Sequence, residues 1–278
     1  MEYKVINTRR SLGKDSSFLL STLSSQGKII FTRLEAEKIL KKSPATTRRL
    51  LNRLKEKKWL LKLAAGKYLI IPLSAGVEAE FTEDWFVIGK HLLEPTSYYF
   101  SHYSALSLHQ MTTQPLMTVY ITTLKRHKPS EILGATYRFI YTKPENLWGV
   151  EEVWAKPTEK VRVSDLERTI IDCLNNPKLC GGISELAKGL WSKRNEIDFS
   201  KLLYYIKRFG SKAVAKRLGF LLDLFELGDQ DLLDKLQKMV GSSFVLLDPS
   251  LPAKGRYTSH WRLRLNLNPK ELKEIVKT

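Results

Sequence analysis

The sequence predicts an α+β chain of two domains, an N-terminal winged helix-turn-helix over residues 1–75 and a larger mixed α+β domain over residues 76–278. Three observations predict it. A basic amphipathic helix starts at Ser43 and runs straight into a short β-hairpin with a glycine at its tip. Two shorter helical segments come before it. Beyond residue 76, strand-like and helical runs come in blocks rather than in alternation, which argues against a doubly wound parallel sheet.

The first helix has Asp15 or Ser16 as its cap, carries Phe18, Leu19, Leu20 and Leu23, and ends at Gly27. Thr32-Arg33-Leu34-Glu35 is a capping box that opens a second helix with Leu34, Ile39 and Leu40 inward. Lys41 and Lys42 make the turn into the third. There Ser43 is the N-cap, and Pro44 takes the first helical position, where its missing N–H costs nothing. Thr47, Leu50, Leu51 and Leu54 share one face at helical spacing. Ala45, Arg49 and Asn52 share the other, flanked by Thr46, Arg48, Arg53 and Lys55. After Trp59 the period shortens to two. Leu60 to Leu63 go up, Ala64-Ala65-Gly66-Lys67 turns, and Tyr68 to Ile71 return, with Pro72 fitting the end of an edge strand. Three helices and a hairpin in about 60 residues match the helix-turn-helix plan, whose second motif helix enters the major groove.

Charge points to the same partner. Residues 1–72 hold 17 Lys/Arg against 5 Asp/Glu, a net of +12, whereas the whole chain carries +17. Such an excess on a small helical domain is the electrostatic footprint of a nucleic-acid binder. The apolar content of 43% supports true cores. No run approaches the roughly 18 apolar residues that read as a membrane helix. MEYKVINTRR has no apolar core like a signal peptide's, so a cytoplasmic protein with no membrane partner is expected. Cys173 and Cys180 lack metal or redox spacing and read as small buried thiols.

In the second domain, Thr82-Glu83-Asp84 caps a helix with Trp85, Phe86, Ile88 and Leu92, and another helix spans Ser101 to His109. Strand-like runs follow at residues 117–122, 135–142, 152–155 and 160–163. Ser164 is expected to cap residues 165–174, Ser184 to cap 185–191, Asp198 to open 199–209 and Ser211 to open 212–227. A helix over 230–239, β-like SSFVLLD and WRLRLNL, and a short helix from Pro269 close the chain.

Four pieces in order, AAGKYLIIP, YYFSHYSALSLHQMT, MTVYITT with a basic turn, and VRVSDLERTIIDCL, carry a resemblance across essentially the whole chain. The chain resembles the AbiEi family of antitoxins and transcriptional regulators from type IV toxin–antitoxin systems. It departs from that family in having Gln110-Met111 after His109, where a glycine-leucine pair is frequent. The resemblance implies a repressor that binds inverted repeats of double-stranded DNA in its own promoter. It implies a larger domain that counteracts a nucleotidyltransferase-type toxin without requiring a stable complex, and no enzymatic activity or cofactor. Within the helix, Ala45, Thr46, Arg48, Arg49 and Asn52 are the expected base readers, since Arg suits guanine edges and Asn adenine edges. Lys41, Lys42, Arg53, Lys55, Lys62 and Lys67 are the expected phosphate contacts.

Other residues have plainer roles. Arg168 and Asp172 are four apart and make an i,i+4 ion pair rather than an acid–base site. His102 and His109 share a helical face but lack further metal ligands. Lys125, Arg126 and Lys128, with Arg256, Arg262 and Arg264, form a second basic surface suited to nucleic acid or an acidic partner; Arg262 and Arg264 are expected on one exposed strand face. A repressor whose larger domain binds a small effector is the alternative reading, with Trp85, Tyr98, Tyr99 and Phe100 as pocket aromatics. A nuclease reading is weaker still: Glu152 and Lys156 have the wrong spacing for a metal-dependent site, and no Walker loop, GxSxG or HExxH occurs.

Overall fold

The computed structural model describes residues 10–276 apart from residue 77. Residues 1–9, most of the N-terminal segment on which the signal-peptide expectation rests, lie outside them. The chain is mixed α+β, with three sheets among the described residues, and divides by its contacts into two compact units, Met1–Asp84 and Trp85–Thr278. The turn at Leu73–Ala75 thus lies inside the first unit.

The first unit runs α1 (Lys14–Ser25), β1 (Ile30–Thr32), α2 (Arg33–Leu40), α3 (Pro44–Glu56), β2 (Leu60–Ala64) and β3 (Lys67–Ile70). The strands form an antiparallel sheet in the order β1-β3-β2. Strand β1 has only three residues and carries no alternation to read, so the sequence pattern misses it. It makes β3 the central strand, and Pro72 falls beyond that strand rather than on an edge. Gly13, not Asp15 or Ser16, sits at the N-cap of α1. The capping box of α2 forms as written: the Glu35 amide donates to Thr32 Oγ1 at 3.2 Å, and the Thr32 amide donates to Glu35 Oε2 at 2.7 Å. Leu34 faces outward, 61% exposed, and Ala36 takes its place in the core with Leu40. Leu19, Leu23, Leu51 and Leu54 meet Phe31, Trp59 and Tyr68 in one apolar cluster. Each fully buried leucine contributes about 1.5–3 kcal/mol.

The second unit begins with α4 (Trp85–Leu93), β4 (Tyr98–Phe100), α5 (Tyr103–Leu108), β5 (Thr118–Thr123), β6 (Ser130–Ile132), β7 (Ala135–Tyr141), β8 (Val150–Lys156) and β9 (Glu159–Ser164). These strands make a mixed sheet in the order β6-β7-β5-β4-β9-β8. Central β4 pairs antiparallel to β5 and parallel to β9. Helices α6 (Leu166–Asn175), α7 (Gly182–Ser192), α8 (Phe199–Phe209), α9 (Lys212–Phe225) and α10 (Gln230–Gln237) follow. A small sheet of β10 (Val245–Leu246), β11 (Arg256–Thr258) and β12 (Leu263–Leu265) and a final helix α11 (Pro269–Ile275) complete the unit. Two expected caps shift. Asp165, not Ser164, caps α6, with its side chain accepting from the Arg168 amide at 2.9 Å. Gly181, not Ser184, precedes α7. Asp198 and Ser211 cap α8 and α9 as expected.

Helix α6 packs against α7, α8 and α9, and every residue from Glu167 to Leu174 is buried. Its charges therefore need partners from neighbouring elements. Arg168 Nε donates to Asp172 Oδ1 at 2.8 Å, Arg168 Nη2 donates to Tyr99 Oη at 3.2 Å, and the guanidinium lies 3.9 Å over Trp148. Glu167 accepts from the Asp198 amide at 3.0 Å and pairs with Lys201 at 2.7 Å. Tyr205 Oη donates to Asp165 at 2.8 Å. Burial, then the hydrogen bond and charge of Asp165, push the Tyr205 hydroxyl up to about 12. Glu-Arg-Thr-x-x-Asp is a structural knot that fixes α6 to β4 and α8. Cys173 and Cys180 are free and buried nearby.

Replacing Asp172 by Ala strands a buried guanidinium and is expected to lower stability by about 3–5 kcal/mol in urea unfolding. Arg168→Met combined with Asp172→Leu should cost clearly less than D172A alone, because no charge is then left unpaired. A double variant as destabilised as the single would refute the stranded-charge account.

Candidate nucleic-acid interface

The cationic face of the first unit is set by how α3 is held. Ser43 Oγ accepts from the Thr46 amide at 3.3 Å, and Pro44 starts the helix. Lys41 adopts a left-handed φ of 50° between α2 and α3. Thr47, Leu51 and Leu54 are buried against the core. That orientation leaves Ala45, Thr46, Arg48, Arg49 and Asn52 all exposed, together with Arg53 and Lys55. Among the described residues, no carboxylate lies within ion-pair distance of Arg48, Arg49, Arg53 or Lys55, although Glu56 is on the same helix.

The expected phosphate contacts separate into groups. Lys41 is exposed. Lys42 is half-buried and ion-paired to Asp15 of α1, a partner far away in sequence, so its charge is already partly neutralised. On the hairpin, Lys62 is exposed, whereas Lys67 is half-buried and opposite Thr32 of β1. The hairpin tip is fastened to the helical part, because the Arg33 amide donates to the Gly66 carbonyl at 2.7 Å. Gly66 has a φ of +72°, which a side chain would strain.

Charge is less polarised than the first 72 residues indicate. Residues 73–84 add four carboxylates and no Lys or Arg, so the first unit carries 17 Lys/Arg against 9 Asp/Glu, a net of +8. Within that unit the positive charge concentrates on α3 and its approaches.

The second basic surface splits in two. Lys125, Arg126 and Lys128 lie exposed in the loop between β5 and β6, with the Arg126 guanidinium 4.8 Å over the Tyr141 ring. Arg262 precedes β12 with a φ of 50°, and Arg264 is half-buried within it, so the two do not alternate along one strand. They converge through aromatic side chains instead. Arg262 lies 5.4 Å over Phe244, Arg264 lies 5.3 Å over Tyr257, and the two rings meet edge to face at 5.1 Å. Phe244 and Tyr257 are exposed residues the sequence pattern passes over; a parallel pairing of β10 with β12, invisible in one dimension, brings their segments together.

The histidines are not partners. His102 precedes α5 and is buried beside Ser101 Oγ at 2.9 Å, where burial above all holds its ring below the usual histidine value. His109 Nε2 lies 2.6 Å from the Ser164 carbonyl. No cluster of metal-binding side chains occurs among the described residues. Tyr98, Tyr99 and Phe100, considered above as pocket aromatics, form central strand β4 and are buried; Phe86 packs edge to face on Phe100 at 5.0 Å. They form part of the core of the second unit. No helix among the described residues is long and apolar enough to cross a membrane.

No protein-family model matches the sequence, and no curated protein matches it. The fold matches the crystal structure of the RV2827C protein from Mycobacterium tuberculosis with a TM-score of 0.72. The match covers 98% of this chain and 97% of that one at 14% sequence identity. This likeness is one of fold, and it extends through both units.

The α2 cap is acid-sensitive. Burial opposes ionisation of Glu35, but hydrogen bonds from Lys28 and Thr32 and the Lys28 charge hold its carboxyl below the ordinary value. Its stabilising contribution is therefore complete above the unfolded-state value and is lost as pH falls through the lower folded-state one. Urea midpoints of the native protein and Glu35→Gln should differ at neutral pH and converge on acidification; a constant gap would show that the charge is not what stabilises the cap.

Proposed function

We propose that the protein is a winged-helix DNA-binding repressor that acts as the antitoxin of a type IV toxin–antitoxin system. The observation that carries the DNA-binding part is the split of α3. Its apolar side is docked, and Ala45, Thr46, Arg48, Arg49 and Asn52 project outward together, with no acidic partner for either arginine. Small residues at the helix start let the backbone come close to base edges. Arg49 and Asn52 then reach guanine and adenine. Arg53, Lys55 and Lys41 hold phosphates on either side, and the β2–β3 hairpin acts as the wing, with Lys62 along the backbone. Lys42 and Lys67 contribute less on this reading, because each is half-buried.

The antitoxin part rests on the sequence resemblance of AAGKYLIIP, SALSLHQ and SDLERTIIDCL to the AbiEi family. The partner would be a nucleotidyltransferase-type toxin. Neutralisation would be the work of the second unit and would not need a stable complex. Co-expression with the adjacent gene tests this directly: toxicity of that gene alone, relieved by this protein, is the expected result, and an innocuous neighbour would overturn it.

Replacing Arg49 by Ala should cost about 1–3 kcal/mol of binding to the inverted repeat upstream of its own gene. Binding to random duplex of equal length should weaken far less. Titrations of both duplexes at one salt concentration check this; equal losses would show that Arg49 meets phosphate rather than base.

A further inference from the structure

The small sheet of the second unit presents a surface that DNA reading by α3 leaves unused. Phe244 and Tyr257 are 41% and 60% exposed, although large aromatic side chains usually bury most of their area. Arg262 and Arg264 flank them, Arg256 lies exposed at the start of the adjoining edge strand β11, and Lys254 lies exposed just before it. None of these four cations has a carboxylate within ion-pair distance among the described residues, and the segment from Pro249 to Lys270 contains no Asp or Glu. Burial first, then the charges of Lys212 and Arg262, hold the Lys216 ammonium behind this face below its usual value.

The face is also rigidly backed. Trp261, between His260 and Arg262, is buried and donates through Nε1 to Asp223 of α9 at 3.0 Å. Its ring lies where a Cβ at residue 219 would be, 2.0 Å from Cζ3, so Gly219 is the residue that admits it. Arg262, next to Trp261, and Arg264, within β12, therefore extend from a segment whose root is locked into the helical core.

We infer that this face binds single-stranded nucleic acid, with unpaired bases stacking on Phe244 and Tyr257 and phosphates held by Arg262, Arg264, Lys254 and Arg256. Ring faces need bases whose own faces are free, and these exist in single strands and not in a duplex interior. Aromatic platforms bordered by cations bind such strands with little regard to sequence. A purely acidic partner would use the cations and leave the exposed ring area of Phe244 and Tyr257 uncovered.

The test uses the full-length protein with fluorescently labelled oligouridylate and oligothymidylate, and a polyglutamate peptide as the acidic comparison. Tyr257→Ala and Phe244→Ala should each weaken both oligonucleotides by roughly ten-fold. Tyr257→Phe, which keeps the ring, should bind nearly as the native protein does. Tyr257→Ala should leave binding of the operator duplex through α3 unchanged, so failure here is separable from failure of the repressor reading. Unfolding midpoints of the variants guard against loss of structure, and photo-crosslinking of the native protein to the oligonucleotides should mark Phe244 or Tyr257. Binding unaffected by both alanine substitutions, with crosslinks elsewhere, would overturn the assignment. Polyglutamate binding as tightly as the oligonucleotides, with the same dependence on the arginines and none on the rings, would also overturn it and assign the face to an acidic protein.

Discussion

Burying α6 on every side imposes the constraint on which the second unit depends. A helix enclosed this way ordinarily carries only apolar side chains, because each unpaired buried charge costs several kcal/mol. Here Glu167, Arg168 and Asp172 are all buried. Their partners come from elements that are distant in sequence: Tyr99 from β4, Trp148 from the approach to β8, and Asp198 and Lys201 from the start of α8, while Tyr205 of α8 holds the capping Asp165. Neither the sheet nor the helical layer can shift against α6 without breaking a charge-assisted bond. An apolar helix would hold these elements together through area alone, and area tolerates sliding. The polar knot fixes the register.

The first unit uses charge in the opposite way. Its core is apolar, and three of its nine carboxylates are committed beside the helices: Glu35 to the cap and Lys28, Glu37 to Arg33, and Asp15 to Lys42. Those pairs neutralise the flanks of the domain and leave α3 with cations whose charge is uncancelled. The pattern suits a partner that supplies its own anions. Exposed pairs contribute little to stability, so the arrangement costs the fold almost nothing and keeps the positive potential on one face.

How much of this was legible depends on whether the cause is local. The cap of α3, the capping box of α2 and the caps of α8 and α9 rest on contacts three residues apart, and the sequence displays them. So does the split of α3 into docked and exposed sides, which needs only helical period. The orientation of Leu34 was misread because α2 has only eight residues, and so short a stripe can be placed about either edge. Strands β1, β4, β6 and β11 have three residues each and no periodicity to read. Asp15 with Lys42, and Phe244 with Tyr257, join residues far apart in the chain. Nothing in a single sequence ties such pairs together, and the cationic-aromatic face was visible in advance only as scattered arginines.

The two cationic faces have different chemistry, and that difference bears on function. The α3 face has no aromatic side chain; its arginines and asparagine stand on a convex helix, the shape that fits a groove lined by stacked base edges. The β12 face is a short sheet with two partly exposed rings, each beside an arginine guanidinium, and a duplex would leave their exposed area in water. A repressor that only reads its operator needs the first face and gains nothing from the second. Exposed aromatic side chains add to the risk of self-association, and these two stand beside cations with no carboxylate in ion-pair distance among the described residues. On the function proposed above, the protein would meet nucleic acid in both forms, duplex at its promoter and unpaired strand elsewhere. On that account the second unit is more than a support for the first, and its basic edge is where a second activity is to be sought.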